Sequence, residues 1–451
     1  MQLRDTLTNA KSTVKPSGKN VVTVYSCGPT VYDHAHIGNL RTFIIDDILR
    51  RTVNTSELEL AAVMNITDID DKTISRSREE HSELGPMEAL IESTRHYEEL
   101  FIDDLEAVGV DISLVTFVRA TDSIVQMQDM ITAISDRGYA YVADGSVYFD
   151  LAKYRADGNT YGRLINVDYS AQARIDNDEY DKNEARDFVL WKGAKDGEPF
   201  WDFQLGLDDL PGRPGWHIEC SAMALSNLGQ PITIHSGGID LKFPHHENEI
   251  AQVVGATGDD FTQIFVHYNH LYVDGRKMSK SLGNFYTLAE IIERDYDPLV
   301  FRLLVLQASY ASELNFTWES LEAAKSALMN LYAWADLTHQ GEATLGIEAL
   351  KLVTEAVAND LDTPTALGLV FGYGESIPSY ELLKGLDDLL GLELASRADV
   401  TDDEKLLINR RQTARLAKDF SASDLMRDEL AKASLVVDDT STGPRWRRTI
   451  I

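Results

Sequence analysis

The stretch that decides how the first third of the chain folds is VVTVYSCGP, residues 21–29. Its β-branched and aromatic start predicts a buried strand, and the glycine and proline that end it predict a turn. A helical pattern starts after Gly38 and runs to about Arg51. Strand, turn and helix in this order predict a β-α unit.

The same alternation continues outward from this stretch. A second strand is predicted over 58–66, and a helix is predicted over 86–108, where Gly109 ends it. Alternation of this kind favours a parallel sheet covered by helices, with ligands at the carboxyl ends of the strands.

Further along the chain the pattern changes twice. A helix is predicted over 123–137 and a hairpin over 139–149, with Asp144 and Gly145 in its turn. Residues 151–209 lose periodicity and are interpreted as an insertion, and strands return at 231–235 and 264–273. From about Leu288 the pattern is almost wholly helical.

The composition excludes several classes of protein. A chain of 451 residues and 50.4 kDa is long enough for about three domains. Its net charge of −31 argues against coating nucleic acid through bulk positive charge, so any polyanion must meet local basic groups. Two cysteines are too few for a disulfide scaffold. Without a membrane span or secretory signal, we expect a cytoplasmic protein with no membrane partner.

The cysteines and histidines share two regions of the sequence. Of eleven histidines, two are His34 and His36 and six lie between 217 and 270, and Cys27 and Cys220 fall in the same regions. His245 and Glu249 are four apart and share a helix face, so with both thiolates they would complete a tetrahedral Zn²⁺ site. On spacing alone, two buried free cysteines and a surface helix with a His–Glu contact are the preferred interpretation.

Two further segments have the chemistry of a phosphate site. His36-Ile37-Gly38-Asn39 stands at the predicted helix start, where unpaired N–H groups and the helix dipole favour an anion. Lys277-Met278-Ser279-Lys280-Ser281 offers two ammonium groups and two hydroxyls. Either segment alone is also compatible with an ordinary turn or a basic surface loop.

Together these segments resemble the motifs of class I aminoacyl-tRNA synthetases. Residues 36–39 resemble the HIGH motif, with Asn39 in place of its final histidine, and residues 277–281 read KMSKS letter for letter. Within that class the chain resembles the cysteinyl-tRNA synthetase family over almost its whole length. The segments that carry this resemblance are 27–33 (CGPTVYD), 65–72 (NITDIDDK), 187–192 (DFVLWK), 212–223 (GRPGWHIECSAM) and 235–252 (HSGGIDLKFPHHENEIAQ).

The resemblance implies one zinc ion per chain, held by Cys27, Cys220, His245 and Glu249. It also implies that this zinc binds the thiolate of substrate L-cysteine, a bond that serine forms poorly. ATP would enter with Mg²⁺.

The resemblance assigns further roles by position. Catalysis falls to His36, Asn39, Lys277 and Lys280. ATP binding falls to His36, Gly38, Asn39, Gly237, Gly238, Asp240 and Lys280. The cysteine pocket would include Cys27, Thr67, Trp216 and His217. A core tryptophan and a strand threonine are alternative interpretations of Trp216 and Thr67, and only their adjacency to motif residues favours function.

The helical C-terminal half resembles the anticodon-binding region of the family. The positions that would read the anticodon are Arg415, Phe420, Asp424, Arg427 and Asp439, and without the family the segment 410–427 is interpreted as a solvated helix face. The segment 366–392 is shorter than is usual for the family.

The implied fold is an α/β, Rossmann-like catalytic domain with an insertion, followed by an α-helical anticodon-binding region. We expect the catalytic domain in two halves, 1–115 and 210–260, separated by a connective insertion at 116–209. After these come a KMSKS-loop and stem-contact region at 261–310, a helical bundle at 311–395 and a small C-terminal domain at 396–451.

The implied activity is ATP-dependent attachment of L-cysteine to tRNA(Cys) by a monomer. Two alternatives stay open: a ligase that joins cysteine to an amino sugar, as in mycothiol synthesis, and a non-catalytic tRNA-binding paralogue. The arginine-bearing C-terminal segment disfavours the first, and the intact nucleotide motifs disfavour the second.

Overall fold

The computed structural model describes residues 1–18, 20–165, 186–278, 283–440 and 443–449. The chain divides into two compact units. The first unit holds Met1–Leu288, Tyr310–Leu314 and Asn359–Leu361, and the second holds Ala289–Ser309, Asn315–Ala358 and Asp362–Ile451. Among the described residues, no helix is both long and apolar enough to cross a bilayer.

The strands, in chain order, are β1 (Gln2–Asp5), β2 (Ala10–Thr13), β3 (Val21–Ser26), β4 (Glu59–Ile66), β5 (Thr116–Arg119), β6 (Ala140–Ala143), β7 (Ser146–Phe149), β8 (Phe188–Gly193), β9 (Gln204–Leu205), β10 (Asp208–Asp209), β11 (Gly212–Pro214), β12 (Ile232–Gly238), β13 (Thr262–Tyr268), β14 (Leu271–Val273), β15 (Arg276–Lys277), β16 (Leu314–Phe316), β17 (Leu435–Thr440) and β18 (Gly443–Arg448).

The α-helices are α1 (Ile37–Asn54), α2 (Asp71–Glu80), α3 (Pro86–Ala107), α4 (Ile124–Asp136), α5 (Leu151–Ala156), α6 (Trp216–Leu228), α7 (His245–Thr257), α8 (Leu288–Glu293), α9 (Pro298–Leu306), α10 (Trp318–Ala335), α11 (Leu350–Ala358), α12 (Thr363–Phe371), α13 (Tyr380–Leu390), α14 (Asp402–Leu416) and α15 (Phe420–Lys432).

The predicted α/β class is confirmed by a five-stranded parallel sheet in the first unit. Its strand order is β13-β12-β3-β4-β5, and every neighbouring pair is parallel. The order reverses between β3 and β12, and ligands of such sheets bind outside the carboxyl ends at this point. Cys27 directly follows β3 there, and Gly238 ends β12.

Helix α1 begins one residue before Gly38 because its start is capped. The His36 side chain accepts a hydrogen bond from the Asn39 amide, and the Asn39 side chain accepts one from the His36 amide. This reciprocal pair satisfies two backbone N–H groups that a helix start otherwise leaves open. It therefore fixes the turn between β3 and α1.

Two predicted boundaries differ from the observed sheets. Strands β5 and β13 belong to the parallel sheet, although the predicted limits at 115 and 260 leave both outside the catalytic domain. Strand β8, which sequence analysis did not predict within the insertion, joins an antiparallel sheet of order β11-β8-β7-β6. Periodicity marks a strand but does not say which sheet it joins. The domain roles attached to these boundaries stay a prediction.

The second unit is mainly helical, as predicted, but it ends in an antiparallel hairpin of β17 and β18. Val437 and Trp446 are register partners in this hairpin, and both pack with Ile408 and Leu430 of α14 and α15. The expectation of an almost wholly helical end was wrong here, because β-branched residues in Leu435–Thr440 favour a strand against this small core.

Gly28 allows β3 to leave the sheet beside β4. A Cβ atom at this position would lie 1.8 Å from the Asn65 carbonyl oxygen. We therefore expect Gly28→Ala to lower the free energy of unfolding by about 3 kcal/mol, because backbone rather than a flexible side chain must move. Urea unfolding measures the change.

The matched control for this substitution is Gly85→Ala. A Cβ atom at Gly85 meets nothing within 4 Å, so the change should cost less than about 1 kcal/mol. Equal effects of the two substitutions would contradict the proposed clash.

Candidate active site

Two thiols, an imidazole and a carboxylate meet at the carboxyl end of β3. Cys27 follows this strand, Cys220 lies on α6, and His245 and Glu249 lie one turn apart on α7. One donor atom from each of the four lies within 4.8 Å of the others. All four residues are buried. We refer to them as the Cys-His-Glu cluster.

The distances in this cluster fit a tetrahedral ion. The two Sγ atoms are 3.9 Å apart, and Cys220 Sγ lies 3.4 Å from His245 Nε2. An ion with bonds of about 2.3 Å to sulfur and about 2.0 Å to nitrogen would place these pairs about 3.8 Å and about 3.5 Å apart. The cluster is therefore compatible with a metal site.

Electrostatics also favour a cation at this point. Burial raises the pKa of Glu249, but the charges of His235 and His245 outweigh it and lower the pKa to about 2. Burial lowers the pKa of His245, but Glu249 and Cys220 outweigh it and raise the pKa to about 10. The buried anions thus bind a proton tightly at His245, and a metal ion would replace that proton.

Sequence reasoning missed two further histidines around the cluster. His235 Nε2 lies 2.6 Å from Glu249 Oε2, and His246 Nε2 lies 3.3 Å from Cys27 Sγ. Both residues also form a possible ligand group with Cys27 and Glu249. That group contains one sulfur rather than two. The HHENE segment was the available signal, but it did not say which histidine faces Cys27.

The residues predicted to line the cysteine pocket surround the cluster. The Trp216 ring lies 4.2 Å from the His245 ring, and His217 Nδ1 lies 2.8 Å from His245 Nδ1. The Thr67 hydroxyl donates to Glu219, a buried carboxylate that sequence reasoning did not single out. Trp216 lines the open cleft, whereas Thr67 and His217 are buried.

A cleft of about 330 Å³ joins the cluster to the start of α1. Cys27 and Trp216 line one part of it, and His36, Asn39 and Asp240 line another. Residues of the predicted nucleotide site therefore line the same cavity as the cluster ligand Cys27.

Side chains pack closely against two of the glycines predicted to bind ATP. A Cβ atom at Gly38 would lie 2.5 Å from the Met278 side chain, and one at Gly237 would lie 2.9 Å from Leu241. Gly238 lines the cleft directly. Lys277 is exposed on β15, and Lys280 lies outside the described residues.

The predicted anticodon residues lie on α14, α15 and β17 of the second unit, where they form two separate ion pairs. Phe420 is 59% exposed on α15, where Arg427 pairs with Asp424 at 3.0 Å. Asp439 holds Arg415 at 3.0 Å and also the buried Arg411.

Both carboxylate oxygens of Asp439 are engaged. Arg411 donates to Oδ1 at 2.8 Å and to Oδ2 at 3.0 Å. This bidentate pair explains why the pKa of Asp439 is lowered. Asp439 therefore orients the side chain of Arg415. Sequence analysis did not predict that the buried Arg411 pairs with Asp439.

Residues 13–326 match the family described as "tRNA synthetases class I (C) catalytic domain". A protein of Solibacter usitatus named cysteine-tRNA ligase is 38% identical over 99% of both chains. The chain belongs to the cysteine-tRNA ligase family. Family members of the same name from Leptospira interrogans and Brachyspira hyodysenteriae are 39% and 36% identical, over 99% and 98% of both chains.

Solved structures of other synthetases have a similar fold at lower sequence identity. Two structures of Mycobacterium tuberculosis methionyl-tRNA synthetase with methionyl-adenylate align with TM-scores of 0.52 and 0.54, at 16% and 14% identity. They cover 87% and 84% of this chain, and the chain covers 84% and 89% of theirs. The likeness supports the class I synthetase fold.

We expect Cys220→Ser to remove bound metal from the purified chain. A serine hydroxyl is a much poorer ligand than a thiolate, so the metal content should fall from about one ion per chain to under about a tenth of that value. Elemental analysis measures the content.

The matched control is Ser221→Ala, on the same buried turn of α6. This substitution leaves all four donor groups in place and should retain the ion. Equal metal contents in the two variants would contradict the metal site.

Proposed function

We propose that the chain attaches L-cysteine to the 3′ end of tRNA(Cys) in two steps. The cysteine carboxylate attacks the α-phosphorus of Mg·ATP and gives cysteinyl-adenylate and diphosphate. A terminal ribose hydroxyl of the tRNA then takes the cysteinyl group and releases AMP. The observation that carries this proposal is the Cys-His-Glu cluster at the cleft of a cysteine-tRNA ligase family member.

Selection of cysteine is the task of the cluster. Zinc held by Cys27, Cys220, His245 and Glu249 would supply a bond to the substrate sulfur that serine forms poorly. The short His235–Glu249 contact supports this ligand set, because it holds the second carboxylate oxygen while the first faces the cluster. Trp216, packed on His245, would close the pocket over the substrate, with Thr67 and His217 behind it.

Activation of cysteine requires no protein nucleophile. His36 and Asn39 start α1 at the cleft, where the helix dipole and side-chain donors would stabilise charge on the ATP phosphates. Gly38, Gly237 and Gly238 would admit the nucleotide, and Asp240 would accept from its ribose. Lys277 and Lys280 would complete the charge stabilisation. Catalysis then comes from positioning and electrostatics.

Recognition of tRNA(Cys) falls to the second unit. Phe420 offers an exposed ring on which an unpaired base can stack, and Arg415, held by Asp439, offers a guanidinium. Arg427 and Asp424 lie on the same helix, α15. We assign the chain to the cytoplasm, where tRNA is charged, and to a monomeric state.

Two assays test the proposed function directly. Cysteine-dependent exchange of label between diphosphate and ATP reports the first step, and charging of purified tRNA(Cys) reports the second. Both should occur, and serine should support neither. Exchange without charging would indicate an amino-sugar acceptor, whereas loss of both would indicate a non-catalytic paralogue.

Substitutions of His36 can distinguish its proposed catalytic role from its role in capping α1. We expect His36→Asn to lower the exchange rate about 100-fold, because an asparagine can still cap α1 but provides no imidazole for the phosphates. Steady-state exchange kinetics and urea unfolding measure the two effects.

The control variant is His36→Ala, which loses both functions. Its exchange rate should fall similarly, and its free energy of unfolding should fall by a further ~1 kcal/mol. A His36→Asn variant with unchanged exchange would rule out a catalytic role for this imidazole.

A substitution of Phe420 tests whether the second unit binds tRNA. We expect Phe420→Ala to raise the KM for tRNA(Cys) about tenfold, because stacking of one base on an aromatic ring is worth about 1–3 kcal/mol. Charging kinetics at varied tRNA concentration measure the change, and exchange without tRNA should stay as in the natural chain.

Leu352→Ala serves as the matched control for Phe420→Ala. Leu352 is 56% exposed on α11 in the same unit, and its substitution should leave the KM unchanged. Equal KM values for all three chains would contradict a role for Phe420 in binding tRNA.

A further inference from the structure

The cleft extends past the residues assigned to cysteine and ATP. Its lining continues from Cys27 and His36 over four side chains without an assigned role: Tyr32, His34, Lys72 and Tyr97. We call these four the aromatic arm. Lys72 and His34 are exposed, and Tyr32 is half-buried.

The aromatic arm is held in place by both of its flanks. The Val31 amide donates to the Thr67 carbonyl at 3.1 Å, and the Thr67 amide donates to the Pro29 carbonyl at 3.0 Å, so the segment that carries Tyr32 is tied to the end of β4. Cys27, a ligand of the cluster, lies two residues before Pro29 in the same segment and lines the same cleft as Tyr32. The segment is therefore preorganised for a ligand.

Tyr97 fixes the other flank. Its hydroxyl donates to Glu80 at 2.6 Å and accepts from Arg76 at 2.7 Å. The ring of His34 stands edge-on to the Tyr97 ring, with centroids 6.0 Å apart. The exposed imidazole of His34 thus packs against the Tyr97 ring, which is buried and held by hydrogen bonds.

The chemistry of the arm suits a nucleotide. Lys72 Nζ lies over one face of the Tyr32 ring, 5.7 Å from its centroid, so an ammonium group and an aromatic ring are found together at the open cleft. A base can stack on such a ring while the ammonium contacts its phosphate. Asp33 also lines the cleft and can accept from ribose hydroxyls.

The net charge of the chain limits where a phosphate can bind. With a net charge of −31, the surface repels a polyanion unless local cations receive it. Lys72 lies in the first turn of α2, where the positive end of the helix dipole adds to its charge. The arm is therefore a place at the cleft where a phosphate can be held.

We propose that the aromatic arm binds the 3′-terminal nucleotide of tRNA and directs its ribose hydroxyl toward the adenylate. This inference rests on the proposed function. The base stacks on Tyr32, and Lys72 contacts the terminal phosphate. Because the arm lines the same cleft as Cys27 and His36, the terminal ribose would lie close to both the cluster and the nucleotide motif.

The test separates the two steps of the reaction. We expect Lys72→Met to slow single-turnover transfer from preformed cysteinyl-adenylate to tRNA(Cys) and to weaken tRNA binding about tenfold, as for loss of one charge-assisted hydrogen bond. Cysteine-dependent diphosphate exchange should change less than about twofold. Lys72→Arg should restore much of the loss, and Lys195→Met, an exposed lysine outside the cleft, should behave as the natural chain.

A shortened tRNA that lacks its terminal adenosine distinguishes local from general effects. It should bind the natural chain and the Lys72→Met variant equally, because the contact that the substitution removes is already absent. If both tRNAs lose the same affinity, Lys72 is a general surface cation and the proposal is wrong.

Two other results would overturn the proposal. Loss of exchange in Lys72→Met would assign Lys72 to the carboxylate of cysteine or to ATP. Unchanged transfer would leave the arm without a role. If the natural chain itself shows neither exchange nor charging, the proposed function fails, and that result is distinct from failure of the arm.

Discussion

The burial of anionic donors around one point constrains the whole first unit. Glu249 is fully buried and Cys220 nearly so, and an isolated buried charge of this kind costs several kcal/mol unless a cation compensates it, whereas burial raises the pKa of the Cys27 thiol. The compensation is His245 in the present arrangement, and a metal ion would serve better. Strand β3 ends at this point, α7 starts there with His245, and α6 brings Cys220 to it from its second turn.

The same constraint explains the position of the cleft. Strands β3 and β12 are neighbours where the strand order reverses, so the loops that leave them open a crevice at their carboxyl ends. The loop after β3 holds Cys27 and then starts α1 at His36. One loop thus carries a thiol that can ligate a metal ion and a helix start that can bind phosphate, so a metal site and a phosphate site lie close together.

The second unit uses buried charge for a different purpose. Asp336 is fully buried and receives hydrogen bonds from Arg397 and Arg448, which ties the hairpin strand β18 to the end of α10. Asp439, which is exposed, pairs with the buried Arg411 and with Arg415. A fixed arginine side chain loses less conformational entropy when it binds, so the pairing of Arg415 with Asp439 would suit the tRNA contact proposed for it.

Local patterns in the sequence determined the elements. The predicted helix over 86–108 is α3 (Pro86–Ala107), and the predicted strand over 58–66 is β4 (Glu59–Ile66). The four-residue spacing of His245 and Glu249 also placed both on one face of a helix. These predictions succeed because periodicity and turn residues depend on neighbours a few positions away.

Only the tertiary structure decided how distant residues meet. Cys27 and Cys220 are 193 residues apart, and their 3.9 Å contact depends on the packing of α6 against the end of β3. The choice among six neighbouring histidines and the pairing of Asp439 with Arg411 have the same origin. Sequence separation does not encode these contacts, because the side chains converge only when the sheet and its helices bury a common core.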